Sequence, residues 1–413
     1  MNLCASTTNN SPSFRYHAIL VDHMDFNFEG LFRFTYRWLK GMRWTLRRVL
    51  IVVAFFVFYP ILEAIIWLGF LIDNLLFRRY HQRAVNEPVF ITGMFRSGTT
   101  FLHRLMAQDK DRFSTMSMWE ILFAPSVTQR RIVWGLAKLL QVPANFILNR
   151  VETHWQEQNI MHKVSLREPE EDDYLLLHNW SALTTGLSAG LLDEAMPYTF
   201  FDEQLPQQER RRIMAFYHRC VQCHLFAHRA PQQRQYLAKN PALCPKLDSL
   251  HEFFPDSKII YLVRNPLEVI PSFLSMMQFT WRVLGAPAEG PELRDYLLRM
   301  ARHWYDYPLQ YLDQLPEHSY VIVNYDELVR DPAGTITNIY RGLGLDLSPT
   351  FADTLQRETD IGRNYQSQHE YSLAELGLSR EQIVAEFRHI FDRFGFDTKE
   401  QDVYHPVENV FGG

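Results

Sequence analysis

Residues 88–101 read PVFITGMFRSGTTF, in which Gly93 and Gly98 bound a loop carrying Arg96 and Ser97 that runs into Thr99 and Thr100. A β-rich run precedes this loop and a helical pattern (LHRLMAQ) follows it. A strand, a glycine-bounded loop and a helix N-terminus bring successive backbone N–H groups and the helix dipole around one anion, a common way of holding a phosphate. The glycine spacing is that of a nucleotide P-loop, but the residue after it is not. A magnesium NTPase places Lys there to reach the β/γ-phosphates, with Ser/Thr next. Here Thr99 holds the lysine position and the basic residue, Arg96, lies earlier in the loop.

A second segment supplies a second anion site. Residues 255–276, PDSKIIYLVRNPLEVIPSFLSM, read as a turn, a buried strand (Ile259 to Val263), Arg264-Asn-Pro at its carboxyl end, and a helix bearing Ser272. In open α/β sheets ligands bind beyond the carboxyl ends of the strands. Arg264 is therefore expected beside the loop, where a magnesium nucleotide enzyme carries its Walker B Asp. Arginine does not bind the metal, but it suits a second phosphate, with the Ser272 hydroxyl beside it. Strand, loop and helix following one another at both sites are the elements of an α/β fold.

Composition is consistent with such a domain. The 413 residues are 47% hydrophobic and 22% charged, which excludes wholesale disorder and a polytopic membrane protein. A net charge of −5 argues against a nucleic-acid coat, and no nucleic-acid partner is expected. The charge is uneven: residues 1–86 hold ten Lys/Arg against five Asp/Glu, a balance of +5 that leaves −10 for the remainder. Four cysteines (Cys4, Cys220, Cys223, Cys244) are too few for a disulfide scaffold and favour a reducing compartment.

The N-terminal region reads as a membrane segment. From Val49 to Ile72, 17 of 24 residues are Leu, Ile, Val or Phe, and their summed insertion energies outweigh the penalty for Glu63. Just before it, Arg33, Arg37, Lys40, Arg43, Arg47 and Arg48 fall within an arc of about 140° on a helix, with aromatic residues around the rest. Residues 31–48 thus look like a basic amphipathic helix on an anionic surface. Arg78, Arg79 and Arg83 follow the run and Pro60 divides it, so a tilted span and a half-inserted hairpin both fit. The expected organisation is an N-terminal membrane-associated segment over 1–87 and a catalytic domain over 88–413. Residues 110–235 are expected to form a mostly helical cap that builds a substrate pocket. Since the anion motifs lie beyond Pro88, the α/β unit is expected to fold without residues 1–80.

Two clusters bear on acid/base and metal chemistry. Glu168-Pro-Glu170-Glu171-Asp172-Asp173 precedes an apolar helical stretch (YLLLHNW); it is either a charged helix N-terminus favoured by the dipole or a source of a general base. Cys220, Cys223, His224 and His228 share one helix, but no second ligand pair stands at zinc spacing, and no metal is expected. Residues 379–395 read as a last amphipathic helix capped by Ser379 and stopped by Gly395.

From about Pro88 to about Leu378 the sequence resembles sulfotransferases that use 3′-phosphoadenosine 5′-phosphosulfate (PAPS), in particular bacterial, membrane-associated members. Phe95-Arg-Ser-Gly-Thr-Thr-Phe101 is similar to the family's 5′-phosphosulfate loop, and Arg264-Asn-Pro with Ser272 to its 3′-phosphate site. Val323-Asn-Tyr325-Asp326-Glu-Leu, with Asp331-Pro332, is similar to the strand and turn whose Tyr lies near the adenine. The resemblance implies an α/β fold, a P-loop-like domain with a central parallel sheet flanked by helices, and PAPS as co-substrate, bound by Arg96, Ser97, Gly98, Thr99, Thr100, Arg264, Ser272 and Tyr325, with no metal. It implies Lys239 and Arg96 as the cations that stabilise charge on the leaving phosphate oxygen. Lys239-Asn240-Pro241 matches a Lys-Thr-His run but lacks its histidine, so the base comes from elsewhere. A Pro-Glu-Glu run in related bacterial sulfotransferases favours Glu171 over Glu170, His154 and His162. The family's Arg-Lys-Gly element is missing, with Gly362-Arg363 and residues 368–372 as loose substitutes.

The implied activity is sulfuryl transfer to a hydroxyl of a lipid-like or other amphiphilic acceptor at the membrane surface. The catalytic domain would face the cytoplasm, or the Golgi lumen in a eukaryote. The competing readings are a P-loop kinase or NTPase, opposed by Thr99 and Arg264, and a non-catalytic membrane-anchored nucleotide-binding protein, opposed by the completeness of the motifs.

Overall fold

The computed structural model describes residues 26–41, 44–139, 165–229, 231, 234–284, 291–362, 373 and 377–398. Arg43, His154, His162, Arg363 and residues 368–372 lie outside them, as does the Arg47 side chain. Helix α1 (Phe28–Gly41) is followed by α2 (Leu46–Leu76), which Thr45 caps by accepting from the Arg48 N–H. Then come β1 (Val89–Gly93), α3 (Thr99–Met106), β2 (Phe113–Ser114), α4 (Met118–Phe123) and α5 (Val127–Leu139). A 3₁₀ helix, Asp172–Asn179, forms where the YLLLHNW helix was expected. Further on lie α6 (Gln207–Ala227), β3 (Gln235–Lys239), β4 (Lys258–Val263), α7 (Pro266–Leu284), β5 (Tyr320–Asn324) and α8 (Tyr325–Arg330).

The five strands form one sheet in the order β2-β3-β1-β4-β5, and every pairing is parallel. Strand β1 is buried at every position, as a parallel strand covered on both faces must be. Alternation along the strands splits the core: Phe90, Tyr236, Ile259 and Tyr261 point to one side, Val89, Ile91, Leu237, Ile260 and Leu262 to the other. Register does the positioning. Ile91 lies opposite Lys239, Gly93 opposite Leu262, and Val263 opposite Asn324. The residues that follow, the loop from Met94, Arg264 and Tyr325, must then emerge side by side.

The expectation of one last helix is corrected by the structure. The last helix is two, Arg380–Glu386 and Arg388–Phe394; Ser379 does cap the first with a capping box, and Gly395 stops the second in the left-handed conformation. Within 110–235 the described residues are mainly helical, but Phe113–Ser114 is an edge strand of the sheet.

The N-terminal region differs most. Pro60 does not break α2, so no hairpin forms: Leu46–Leu76 is one continuous helix. It contains the one stretch among the described residues, Arg48–Leu76, long and apolar enough to cross a membrane. One stripe of this helix is welded to the rest of the protein. Ile66 and Phe70 are fully buried in the larger core cluster, and Asp73 accepts from the Val127 and Thr128 N–H groups at 2.7 and 2.8 Å, capping α5. The connection that follows is also packed: Tyr80 is fully buried, and Gln222 donates to the His81 and Arg83 carbonyls at 3.0 Å each. Residues 1–80 are therefore not joined to the α/β unit through a loose linker alone. Of the basic stripe, Arg33 and Arg37 pair with Glu194 at 2.8 and 3.1 Å instead of standing free.

Candidate active site

The site forms where β3, β1, β4 and β5 end. Gly98 takes φ 90°, left-handed backbone that favours glycine, and a Cβ there would overlap the Tyr325 ring. Arg96 also lies in the left-handed region, with φ 72°, a strained conformation for a residue with a side chain. Its carbonyl is held by Arg264 Nη1 at 2.9 Å, and its side chain by Nε donating to Ser272 Oγ at 3.0 Å. Ser97 is buried, its hydroxyl donating to the Met94 carbonyl, and Thr99 and Thr100 open α3. Arg264 lies 4.0 Å over the Tyr325 ring and pairs through Nε and Nη2 with Glu268 Oε2 at 2.8 and 2.7 Å. Arg96, Ser97, Gly98, Thr99, Thr100, Arg264, Ser272 and Tyr325 thus come together. Sequence reasoning missed Glu268, although its position four residues after Arg264, in the first turn of α7, signals an ion pair.

Lys239, at the end of β3, is buried and donates to Glu170 Oε1 and Glu171 Oε1, each at 2.9 Å. Burial alone would push the lysine down, but the two carboxylates outweigh it and hold it above its ordinary range. The carboxylates part company. Burial would raise Glu170, yet Lys239 pulls it down to about 2, while burial prevails at Glu171 and keeps it above the usual carboxylate range. Two neighbouring acids pushed in opposite directions is the arrangement that separates acid/base roles. Glu171 is the better proton acceptor. Its side chain remains 17% accessible to solvent. His103 on α3, the near histidine, is pushed to about 3 by burial and by the Lys239 charge, too weak a base for an alcohol proton.

Asp172 fixes this cluster and was not singled out by the sequence. Its Oδ2 accepts from the Tyr217 and Tyr236 hydroxyls, and its Oδ1 from Asn240 Nδ2 at 3.0 Å. The acidic run is therefore not a solvated helix end: Asp172 ties the 3₁₀ helix to α6 and β3, and Asp173 pairs with Lys246 at 2.9 Å. Burial pushes Asp172 up to about 6, its three donors offsetting only part of that. The folded state thus holds this proton more tightly than the unfolded chain does. The resulting stabilisation is complete below the ordinary carboxylate pKa of about 4 and is lost as pH rises through about 6. Between pH 4 and 7 the wild type should lose on the order of 3 kcal/mol relative to Asp172→Asn. Urea melts at each pH measure this, and a constant difference between the two proteins would refute it.

The suggested Cys-His metal set does not assemble. Cys220 and Cys223 are buried free thiols, whereas His224 and His228 of α6 approach Glu120, the one trio with close ligand atoms among the described residues. His228 Nε2 is 2.6 Å from Glu120 Oε1, and Arg130 Nε is 3.2 Å from that oxygen. The buried guanidinium already neutralises the carboxylate and would repel a cation.

A family profile described as "Sulfotransferase family" matches residues 88–349. The chain is 26% identical over 333 residues to the omega-hydroxy-beta-dihydromenaquinone-9 sulfotransferase Stf3 of Mycobacterium bovis, covering 78% of each protein. It is 26% identical over 158 residues to human sulfotransferase 2A1, covering 35% of this chain and 53% of that one. Among solved structures, sulfotransferase STF1 of Mycobacterium tuberculosis superposes with a TM-score of 0.62 at 23% identity, over 78% of this chain and 81% of that one. STF9 of Mycobacterium avium gives 0.66 at 18% identity, over 80% and 82%. These structures share the parallel-sheet fold.

Proposed function

Because the chain belongs to the sulfotransferase family, we propose that it transfers the sulfuryl group of PAPS to a hydroxyl of a lipid-like acceptor by in-line displacement. The observation that carries the acceptor class is the 3₁₀ helix Asp172–Asn179, which starts next to Glu171 and ends against α2. His178 meets Glu63 at 2.9 Å, and its carbonyl accepts from Trp67 Nε1 at 3.0 Å. Seven residues at about 2.0 Å rise separate Glu171 from His178, so roughly 14 Å divides the acid/base cluster from the most apolar helix of the chain. An enzyme built this way can meet an acceptor that stays in lipid. The mycobacterial relative, named for a hydroxylated menaquinone, agrees with that class.

In this reading residues 88–413 carry the chemistry and residues 1–87 the membrane association, with the catalytic side facing the cytoplasm. The loop from Arg96 to Thr100 holds the 5′-phosphosulfate through the N–H groups of Gly98, Thr99 and Thr100, Arg264 and Ser272 hold the 3′-phosphate, and Tyr325 lies near the adenine. The left-handed loop, the space that only glycine leaves at residue 98, and two converging arginines suit a donor with two separate anionic groups. PAPS supplies an activated S–O bond to phosphate. As the acceptor oxygen forms its bond to sulfur, that bond breaks, Lys239 and Arg96 stabilise the charge on the leaving phosphate oxygen, and Glu171 takes the hydroxyl proton. No step calls for a metal.

Calorimetry should show 3′,5′-ADP binding in preference to ATP with magnesium, and labelled PAPS should transfer its sulfur to the lipid phase of a total lipid extract. Preference for ATP would overturn the donor, and label confined to water-soluble products would overturn the acceptor class. Arg264→Ala should weaken 3′,5′-ADP by roughly 10- to 150-fold, the loss of one charge-assisted contact. Unchanged affinity would remove the 3′-phosphate from Arg264.

A further inference from the structure

We infer that α2 lies in the plane of the membrane surface, its outer face in lipid, and does not cross the bilayer. The inference rests on the membrane association proposed above and adds its geometry. Along α2, Tyr59, Glu63, Ile66, Phe70 and Asp73 fall at steps of 4, 3, 4 and 3, one stripe of a helix. Every one of them faces protein. The Tyr59 hydroxyl donates to the Leu177 carbonyl at 3.1 Å, Glu63 meets His178 at 2.9 Å, Ile66 and Phe70 enter the core, and Asp73 caps α5. From Tyr59 to Asp73 is about 21 Å of helix axis, most of the roughly 30 Å hydrocarbon thickness. A crossing α2 would pull the 3₁₀ helix, the start of α5 and the polar cluster behind them to membrane depth. Irregular backbone facing lipid has no means of satisfying its N–H and C=O groups.

The opposite stripe faces outward. Leu50, Val53, Val57, Ile61, Leu68, Leu71 and Leu75 are each about half exposed or more, and α5, packed beside α2, continues the surface with Ile132, Leu136 and Leu139. This exceeds the scattered apolar side chains of an ordinary surface. Charge identifies what covers it: Lys40 lies before α2, Arg48 at its start, and Arg78 and Arg79 beyond its end. Cations flanking an apolar stripe identify an anionic headgroup layer as what covers it, and the inner stripe packed on protein makes that contact side-on.

The test uses the full-length protein with Cys4→Ser, the other cysteines being buried. Leu50→Cys, Ile61→Cys and Leu75→Cys are each labelled with an environment-sensitive nitrobenzoxadiazole dye and bound to phosphatidylcholine/phosphatidylglycerol vesicles containing shallow or deep spin-labelled lipid. All three labels should sit at one depth, about 5–10 Å into the boundary, each quenched about twofold more by the shallow label than by the deep one. Deep quenching at Ile61 with shallow quenching at Leu50 and Leu75 would overturn the in-plane geometry and leave membrane association standing. No quenching at any position, with or without self-association of the protein, would overturn both. Activity is not part of the readout, so the sulfuryl-transfer reading is unaffected by either outcome.

Discussion

Lys239→Ala should lower turnover by about 10²- to 10³-fold, the usual effect of removing one preorganised group that stabilises developing charge. The affinity for 3′,5′-ADP should change far less, because the groups assigned to its phosphates lie on the loop after β1 and around Arg264, beyond the neighbouring strands. The pH profile should change as well. Lys239 holds Glu170 down at about 2, and without it two adjacent buried carboxylates share a site in which one keeps its proton towards neutral pH. The acid limb of the rate profile should therefore move upward, a change that a purely structural lysine would not produce. Steady-state kinetics between pH 5 and 9, with a thermal melt to confirm folding, provide the measurement. Turnover within about threefold of wild type in a folded variant would take Lys239 out of the reaction.

Removal of residues 1–80 should leave no soluble, cooperatively folded remainder, contrary to what the position of the motifs suggests. Ile66 and Phe70 sit fully buried in the main core, and losing side chains of this size costs about 2–5 kcal/mol each. Tyr80 goes with them, and α5 loses the Asp73 carboxylate that accepts from the Val127 and Thr128 N–H groups. Together these losses are comparable to the roughly 5–15 kcal/mol that stabilises a whole domain. The apolar surface uncovered by the deletion would also drive aggregation. Expression of residues 81–413, followed by circular dichroism and 3′,5′-ADP calorimetry, decides the matter. A soluble fragment with a cooperative melt and undiminished affinity would show that α2 only leans on the core.

Both predictions use information of different kinds. The loop from Gly93 to Thr100, Arg264 and Ser272 was legible because each follows a strand end, and in a parallel sheet all strand ends of one polarity meet at one edge. Tyr325 and Lys239 were named by resemblance to family motifs. Glu171 was preferred to Glu170 by resemblance alone, since the physical difference between them depends on burial and on the distance to a lysine 68 or more residues away. Asp172 gave no signal: its partners Tyr217, Tyr236 and Asn240 come from two other elements. The splitting of the final helix at Phe387 was likewise invisible to a periodicity that runs through it.

The sequence by itself determined the α/β character, the glycine-bounded loop with Arg96, the strand end that carries Arg264, and the strongly apolar character of residues 49–72, because these follow from residue type and spacing within short segments. Tertiary structure alone decided how that apolar helix is used. A hydropathy sum counts side chains without regard to direction, and over Leu46–Leu76 nearly all directions are apolar. Only the placement of His178, Leu177 and the start of α5 against one stripe separates an inner face that belongs to the core from an exposed apolar outer face. Glu63, an obstacle to insertion when read along the chain, becomes in space the point where α2 meets the 3₁₀ helix that follows Glu171.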